Sequence, residues 1–198
     1  MKITLELLRS KGACSAGMTW VEENLPNGAE YQVFLDALAA ADKPDWASWL
    51  LANFGRTTDI KTVTAVTAGT KHIFAAGRLV FECSVSVLGG IKAGWGIEAG
   101  WGIEAVGGIK AGGGIKAGEG IKAGRGIKAG GGIEAGWGIK AGWGIEAGFQ
   151  ITCKLDITVR LRIFAGVCDW RLPSAEETTI TCRAVKSGTV AFGLVVKA

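Results

Sequence analysis

Few side chains in this sequence are of the kind that carry out catalysis, and they do not converge. There is one histidine, His72. A general base needs a carboxylate or nucleophile placed to work with it, and no residue near His72 stands at a triad-like spacing. A lone histidine on a strand is read as structural. The cysteines Cys14, Cys83, Cys153, Cys168 and Cys182 are odd in number, and no two have the close spacing of a zinc site. Gly-x-Gly recurs, as in Gly112-Gly113-Gly114, but a phosphate loop needs a strand-loop-helix context, and no such context follows. The sequence therefore predicts no enzyme, no cofactor and no metal. What remains are tryptophans and charges at regular intervals, whose chemistry is recognition.

The element that positions them is a repeat. Every sixth residue from Ile91 to Ile163 is isoleucine, and the phase runs back through Val85, Leu79 and Ile73. Two residues after each stands a second apolar residue, usually alanine, and the consensus is Gly-Ile-(Lys/Glu)-Ala-Gly-x. Side chains alternate across a strand, so Ile and Ala point inward and the Lys or Glu between them points out. Glycines between the strands suit sharp bends. A helix is excluded, because a six-residue period drifts around it and each glycine costs about 1 kcal/mol against alanine. Three hexads per coil give a triangular prism of about 18 residues per coil. The sixteen hexads then give about five coils, at a spacing of about 4.8 Å. Cys153 takes an inward alanine position and is expected to be a buried thiol.

The flanks differ. Residues 1–55 read as a small helical region. Thr4 caps Leu5–Lys11, Thr19–Glu22 forms a capping box, Tyr31, Phe34, Leu35 and Leu38 share one helix face, and Asp45 caps a last helix. Residues 56–167 form the solenoid. Residues 168–198 comprise a loop and two apolar runs around Lys186-Ser187-Gly188, which predict a β-hairpin. The open edges of a solenoid need covering, and the helical region and the hairpin are the natural caps. The fold class is mainly β.

Composition narrows the function. Apolar residues make up 48% of the chain, enough for a core, and glycine reaches 32 residues with only three prolines. The glycines are periodic, which excludes a disordered linker. The charge of +4 comes from 22 basic and 18 acidic side chains of mixed order, so a nucleic-acid partner is not expected. Charges inside the N-terminal segment argue against a secretory signal. No apolar run approaches the length of a membrane span. Free thiols and these absences predict a cytoplasmic protein that engages no membrane.

The hexads beginning Gly90-Ile91-Lys92-Ala93 and Gly96-Ile97-Glu98-Ala99 resemble the Gly-x-Ile-x-Ala rhythm of bactofilins. The resemblance implies a self-assembling structural protein. The helical region 1–55 and the near-perfect hexads also look like phage and bacterial Gly-Ile-Lys/Glu-Ala-Gly repeat proteins, which implies a phage-borne interaction protein. In period the repeat is similar to hexapeptide acyltransferases, but those depend on a catalytic histidine. They also place a small inward residue two positions before the aliphatic one, where this chain has Trp, Gly, Glu or Arg.

The variable residue of the hexad sits at the bends, outside the Ile–Ala core. Trp95, Trp101, Glu119, Arg125, Trp137 and Trp143 occupy it, and exposed aromatics and arginine are enriched in protein interfaces. These six are the candidate protein-binding residues. With three hexads per coil, Trp101, Glu119 and Trp137 align in one column. The expected function is a non-enzymatic protein-binding scaffold, whose partner is a host protein or a second copy. A phage-encoded inhibitor of a host defence system fits this reading.

Overall fold

The computed structural model describes residues 1–198. Four helices come first, α1 Leu5–Ser10, α2 Ser15–Asn24, α3 Tyr31–Ala40 and α4 Pro44–Phe54. Everything after them is a parallel β-solenoid. Strands pair with the coil below in unshifted register: Ile109 lies on Ile127, Lys110 on Lys128 and Ala111 on Ala129, a step of three hexads. The coil is a triangle with three faces. Face I stacks Ile73–Ala75, Ile91–Ala93, Ile109–Ala111, Ile127–Ala129 and Ile145–Ala147. Face II contains Arg78–Phe81, Ile97–Ala99, Ile115–Ala117, Ile133–Ala135 and Ile151–Cys153, and face III Val85–Val87, Ile103–Ala105, Ile121–Ala123 and Ile139–Ala141. The long strand Asp156–Ala165 runs around the corner from face III to face I.

The inward rows form one core of 34 buried residues, almost all Ile and Ala within the hexads. The outward rows form ladders of charge. Lys116 meets Glu134 at 3.1 Å, Lys122 meets Glu104 at 2.5 Å and Lys128 meets Glu146 at 2.5 Å. Such exposed pairs contribute at most about 1 kcal/mol each; the stability resides in the buried rows.

The repeat glycines have a different cause from the one their bends suggest. None between Gly89 and Gly148 has a left-handed φ. For the glycine that follows each inward alanine, the constraint is the preceding coil. A Cβ on Gly136 would lie 1.9 Å from the carbonyl oxygen of Gly118, and one on Gly142 would lie 1.9 Å from that of Gly124. At most of these steps parallel stacking brings backbone so close that a side chain has no room; Gly100, which faces open space, and Val106 are the exceptions.

The solenoid is longer at both ends than the hexad phase indicates. Ile60–Val63 pairs in parallel with Arg78–Phe81, and face II reaches eight strands rather than the five coils expected. The C-terminal runs are not a hairpin. Thr179–Cys182 lies in parallel on Ile151–Cys153, and Leu194–Lys197 lies in parallel on Thr179–Cys182. Between them, Ala184–Phe192 follows Asp156–Ala165 around the same corner, placing Val185 on Ile157 and Val190 on Ile163. Lys-Ser-Gly is therefore a corner and not a reverse turn. Gly188 lies over Val159 with φ 97°, and a Cβ there would come 2.1 Å from the Val159 methyl. These strands gain more from the preceding coil than from each other, because its inward row offers an apolar surface to cover.

The helices pack sideways rather than across the end. Their core of 12 buried residues includes Phe74 from the first strand of face I and Ala76 just after it. Phe74 holds the outward position that the next three coils fill with Lys92, Lys110 and Lys128. Gln32 completes the junction: its Nε2 donates to the Phe74 carbonyl at 2.8 Å and its Oε1 accepts from the Ala76 N–H at 3.2 Å. One side chain thus supplies the pairing that the free strand edge lacks. Val63 and Val66 pack against the near end of the core itself. Within the helices, Thr4 caps α1 as expected, accepting from the Leu7 N–H at 3.2 Å. The Thr19 capping box is not used, because α2 starts at Ser15 behind Cys14. The α4 start also moves, to Pro44 at the first turn, where its missing N–H costs nothing.

Gly136→Ala should lower stability by about 1–3 kcal/mol, as overpacking does, while Gly100→Ala, with nothing within 4 Å, should change it by less than about 0.5 kcal/mol in the same thermal melts. Cys153 is buried and its thiol pKa is pushed up to about 12, chiefly by desolvation. A thiol reagent at mildly alkaline pH should therefore miss it in the native protein and label it after denaturation, while exposed Cys14 reacts at once.

Candidate functional site: the corners of the prism

The six candidate residues stand on three different corners. Their placement follows from the register, since a bend residue inherits the column of its hexad. Trp95 lies between faces I and II, Trp101, Glu119 and Trp137 between II and III, and Arg125 and Trp143 between III and I. Backbone bonds tie the stacked corners together: Trp137 N–H donates to the Glu119 carbonyl at 3.2 Å, and Trp143 N–H donates to the Arg125 carbonyl at 3.3 Å.

The three corners differ in how far the protein itself uses them. On the corner between faces I and II the aromatic rings have partners within the chain, although Trp95 is still 39% exposed. Arg56, just after α4, stacks on Trp95 with its guanidinium 3.9 Å from the ring centre. Residues 166–178 leave the coil and fold back along the same corner. Trp170 meets Phe149 edge-on with ring centres 5.8 Å apart, and Arg171 sits 4.3 Å over the Phe149 ring. Arg171 is held in turn by Glu177 at 2.5 Å, which keeps the Glu177 carboxyl at about 2. Trp95 thus has a structural partner.

The corner between faces II and III is bare. Trp101 and Trp137 are 54% and 55% exposed, and neither meets another ring or a cation of the protein. Glu119 stands one coil from each, so the two rings are separated by two strand spacings, about 10 Å. Its carboxylate has no basic partner, whereas the acids on the faces do. An aromatic–acid–aromatic row of this kind can grip a cationic or amphipathic side chain between its rings.

The corner between faces III and I is bare and basic. Trp143 is 54% exposed with Arg125 5.6 Å over its ring. The groove beside it is lined also by Lys110, two coils away, and by Arg162, Arg160 pairs its N–H with the Trp143 carbonyl, and Lys140 precedes Trp143 on face III; the hexad alone does not single these out. They occupy different positions of different hexads, so only the three-dimensional coil unites them.

His72 proves to be a clip. Its Nε2 lies 2.8 Å from Asp42 Oδ1, and its Nδ1 accepts from the Gly90 N–H at 2.9 Å. The ring stacks on Phe74. Nδ1 therefore carries no proton, and Nε2–H donates to Asp42. The Lys71 ammonium and the imidazole together hold the Asp42 carboxyl below the usual carboxylate range. Both ring nitrogens are engaged, and the arrangement ties the loop after α3 to the first coils. Lys92 makes a second tie. It donates to the Pro44 carbonyl at 2.7 Å and to the Ser48 hydroxyl, and burial lowers its pKa.

Residues 1–56 match the family model of the YdhT N-terminal domain. The match covers the helical unit up to the arginine that stacks on Trp95, and stops before the solenoid. No curated protein and no solved structure matches the chain significantly. No helix is long and apolar enough to cross a membrane.

The contrast between corners can be measured. Trp101→Ala combined with Trp137→Ala should shift stability by less than about 0.5 kcal/mol per site. Phe149→Ala, which removes a ring covered by Trp170 and Arg171, should cost about 1–2 kcal/mol. Chemical denaturation of the two variants reads the difference.

Proposed function

We propose that the protein is a non-enzymatic scaffold that binds another protein through the exposed corners of its solenoid. The observation that carries this reading is the bare Trp101–Glu119–Trp137 column. Two half-exposed indoles on a rigid backbone, with an unpaired carboxylate between them, commit exposed aromatic surface to no contact within the chain. Rigid aromatic anchors of this kind concentrate binding energy in interfaces. The engagement of both His72 nitrogens supports a non-catalytic role, since neither lone pair nor mobile proton is left for a substrate. A phage-encoded inhibitor of a host system fits a scaffold that presents side chains without chemistry of its own.

A second reading is favoured by one observation. The last coil ends in a free strand edge with Phe192 50%, Leu194 65% and Val195 45% exposed. Apolar side chains on an unpaired edge favour stacking, as in a bactofilin-like assembly of copies end to end.

The test pairs capture with size. The tagged chain should retain a cross-linked partner from host lysate, and Trp101→Ala/Trp137→Ala should lose it while keeping the β signature in circular dichroism. Retained capture by that variant would overturn the corner reading. On size-exclusion chromatography the scaffold should elute near its 20.5 kDa mass; large species that Phe192→Ser/Leu194→Ser reduces to monomer would favour stacking instead.

A further inference from the structure

The corner between faces III and I changes character along its length. In its first two coils it presents Leu88 and Val106, 61% and 60% exposed. In the next three it presents Arg125, then Trp143 beside Lys140, then Leu161 between Arg160 and Arg162. Lys110 adjoins the corner on face I. There it is stacked between Lys92 and Lys128, of which Lys92 is bound by α4 and Lys128 by Glu146. None of Lys110, Arg125, Lys140, Arg160 and Arg162 has a carboxylate within 4 Å, although four such pairs form on the faces. A groove of about 1130 Å³ runs beside this corner from Asp42 and Asp45 to Arg162.

We propose that this corner docks an acidic amphipathic helix of a partner protein. The proposal rests on the scaffold reading above and names the chemistry of the partner at a second corner. Charge complementarity sets the sign: unpaired cations beside an apolar ridge, with Arg125 interrupting it at the middle coil, call for carboxylates flanking an apolar seam. Spacing sets the conformation. Successive coils lie about 4.8 Å apart, so five coils span about 19 Å along the corner; Leu88 and Val106 stand one residue earlier in their hexads than Arg125, Trp143 and Leu161, which offsets the two ends of the ridge sideways by one residue. A helix repeats a face every turn, about 5.4 Å, and four turns cover about 22 Å. An extended peptide repeats a face only at every second residue, about 6.7 Å, and falls out of step by more than one coil over the same length. The apolar seam meets Leu88, Val106, Trp143 and Leu161 in turn, as an amphipathic helix meets a groove, and its acidic flanks meet the cations of the last three coils. A nucleic acid fits less well. Leu88 and Val106 offer a phosphate chain nothing, whereas an apolar seam covers them.

The probe is a synthetic helical peptide of about five turns with leucines at three- and four-residue intervals and glutamates on both flanks. Its controls are a scramble of the same composition and a thymidine oligonucleotide. Fluorescence anisotropy with the full chain should show the patterned peptide binding about tenfold more tightly than the scramble and weakening as salt is raised. Arg125→Glu/Arg162→Glu should lose about tenfold in affinity, with circular dichroism unchanged. Should that variant unfold, Lys140→Glu/Arg160→Glu reads the same corner. Equal binding of scramble and pattern, preference for the oligonucleotide, or affinity unaffected by charge reversal would overturn the proposal. The Trp101→Ala/Trp137→Ala variant separates the two ideas: it should bind the peptide normally. If the peptide fails while that variant still loses its captured partner, only the helix-docking proposal falls.

Discussion

Backbone meets backbone between adjacent coils, and most of the molecule depends on how closely. Where each strand leaves its face, the carbonyl of one coil points at the α-carbon of the next, leaving about 2 Å for a side-chain atom that needs more than 3 Å. Glycine is the residue that fits. That contact fixes a glycine after nearly every alanine, locks the three-hexad coil in unshifted register and keeps the faces flat enough for Ile and Ala to interlock. Where a coil departs from the pattern, the glycine moves with the contact. After Ala105 comes Val106, and Gly107 then makes the close approach, 2.7 Å from the Gly89 carbonyl oxygen for a Cβ there. With the inside filled and the glycines immovable, only the bend position and the outward row are free to vary. Most recognition residues of the solenoid must therefore stand at those positions, with Leu88 and Val106 at the glycine step as exceptions.

The two ends are handled differently. At the first coils the chain uses side chains as surrogate strands. Gln32 pairs with the edge through its amide, Lys61 donates to the Phe74 carbonyl at 3.2 Å, and Phe74 itself reverses its role and enters the helical core. His72 and Lys92 add polar ties to the loop before α4 and to α4. The helical unit is thereby fastened at one face and one height, which gives the prism a fixed reference for every corner beyond it. At the last coil no such surrogate is present, and Phe192 and Leu194 are exposed.

Much of this is legible in the hexads. A strict six-residue period with Ile and Ala two apart admits one inside and one outside, and the columns of bend residues follow by counting. The rest lies in physics that a period does not carry. The reason for the glycines is an inter-coil distance, invisible in a single strand. The C-terminal strands are hidden because residues 166–178 interrupt the count. Ile180 stacks on Ile151 at a separation that is no multiple of the hexad, so no fixed period links them, and Ser187-Gly188 resembles a reverse turn until its neighbours are known. The basic corner is hidden for a related reason. Lys110 and Lys140 are outward residues, Arg125 a bend residue, and Arg160 and Arg162 flank a bend in a coil that has lost its glycines. Six candidates on bends can be read from the sequence; that Trp95 is covered by Arg56 while Trp101 is bare requires the helices to be in place.

The triangular coil also makes the chain a dial. Because three hexads complete a turn, gaining or losing three of them moves everything downstream along the axis by about 4.8 Å and leaves its bearing unchanged. Gaining or losing one turns everything downstream by a third of a revolution relative to the helices. One hexad gained would carry a tryptophan now between faces II and III to the side where Arg125 stands, and one lost would carry it to the side of Trp95. Near-identical units are the easiest of all sequences to duplicate or delete in register, and here each such event leaves the core chemistry intact. Copy number thus sets azimuth and reach separately, and a lineage of such chains can sweep its recognition residues around the axis without altering a single letter of the repeat.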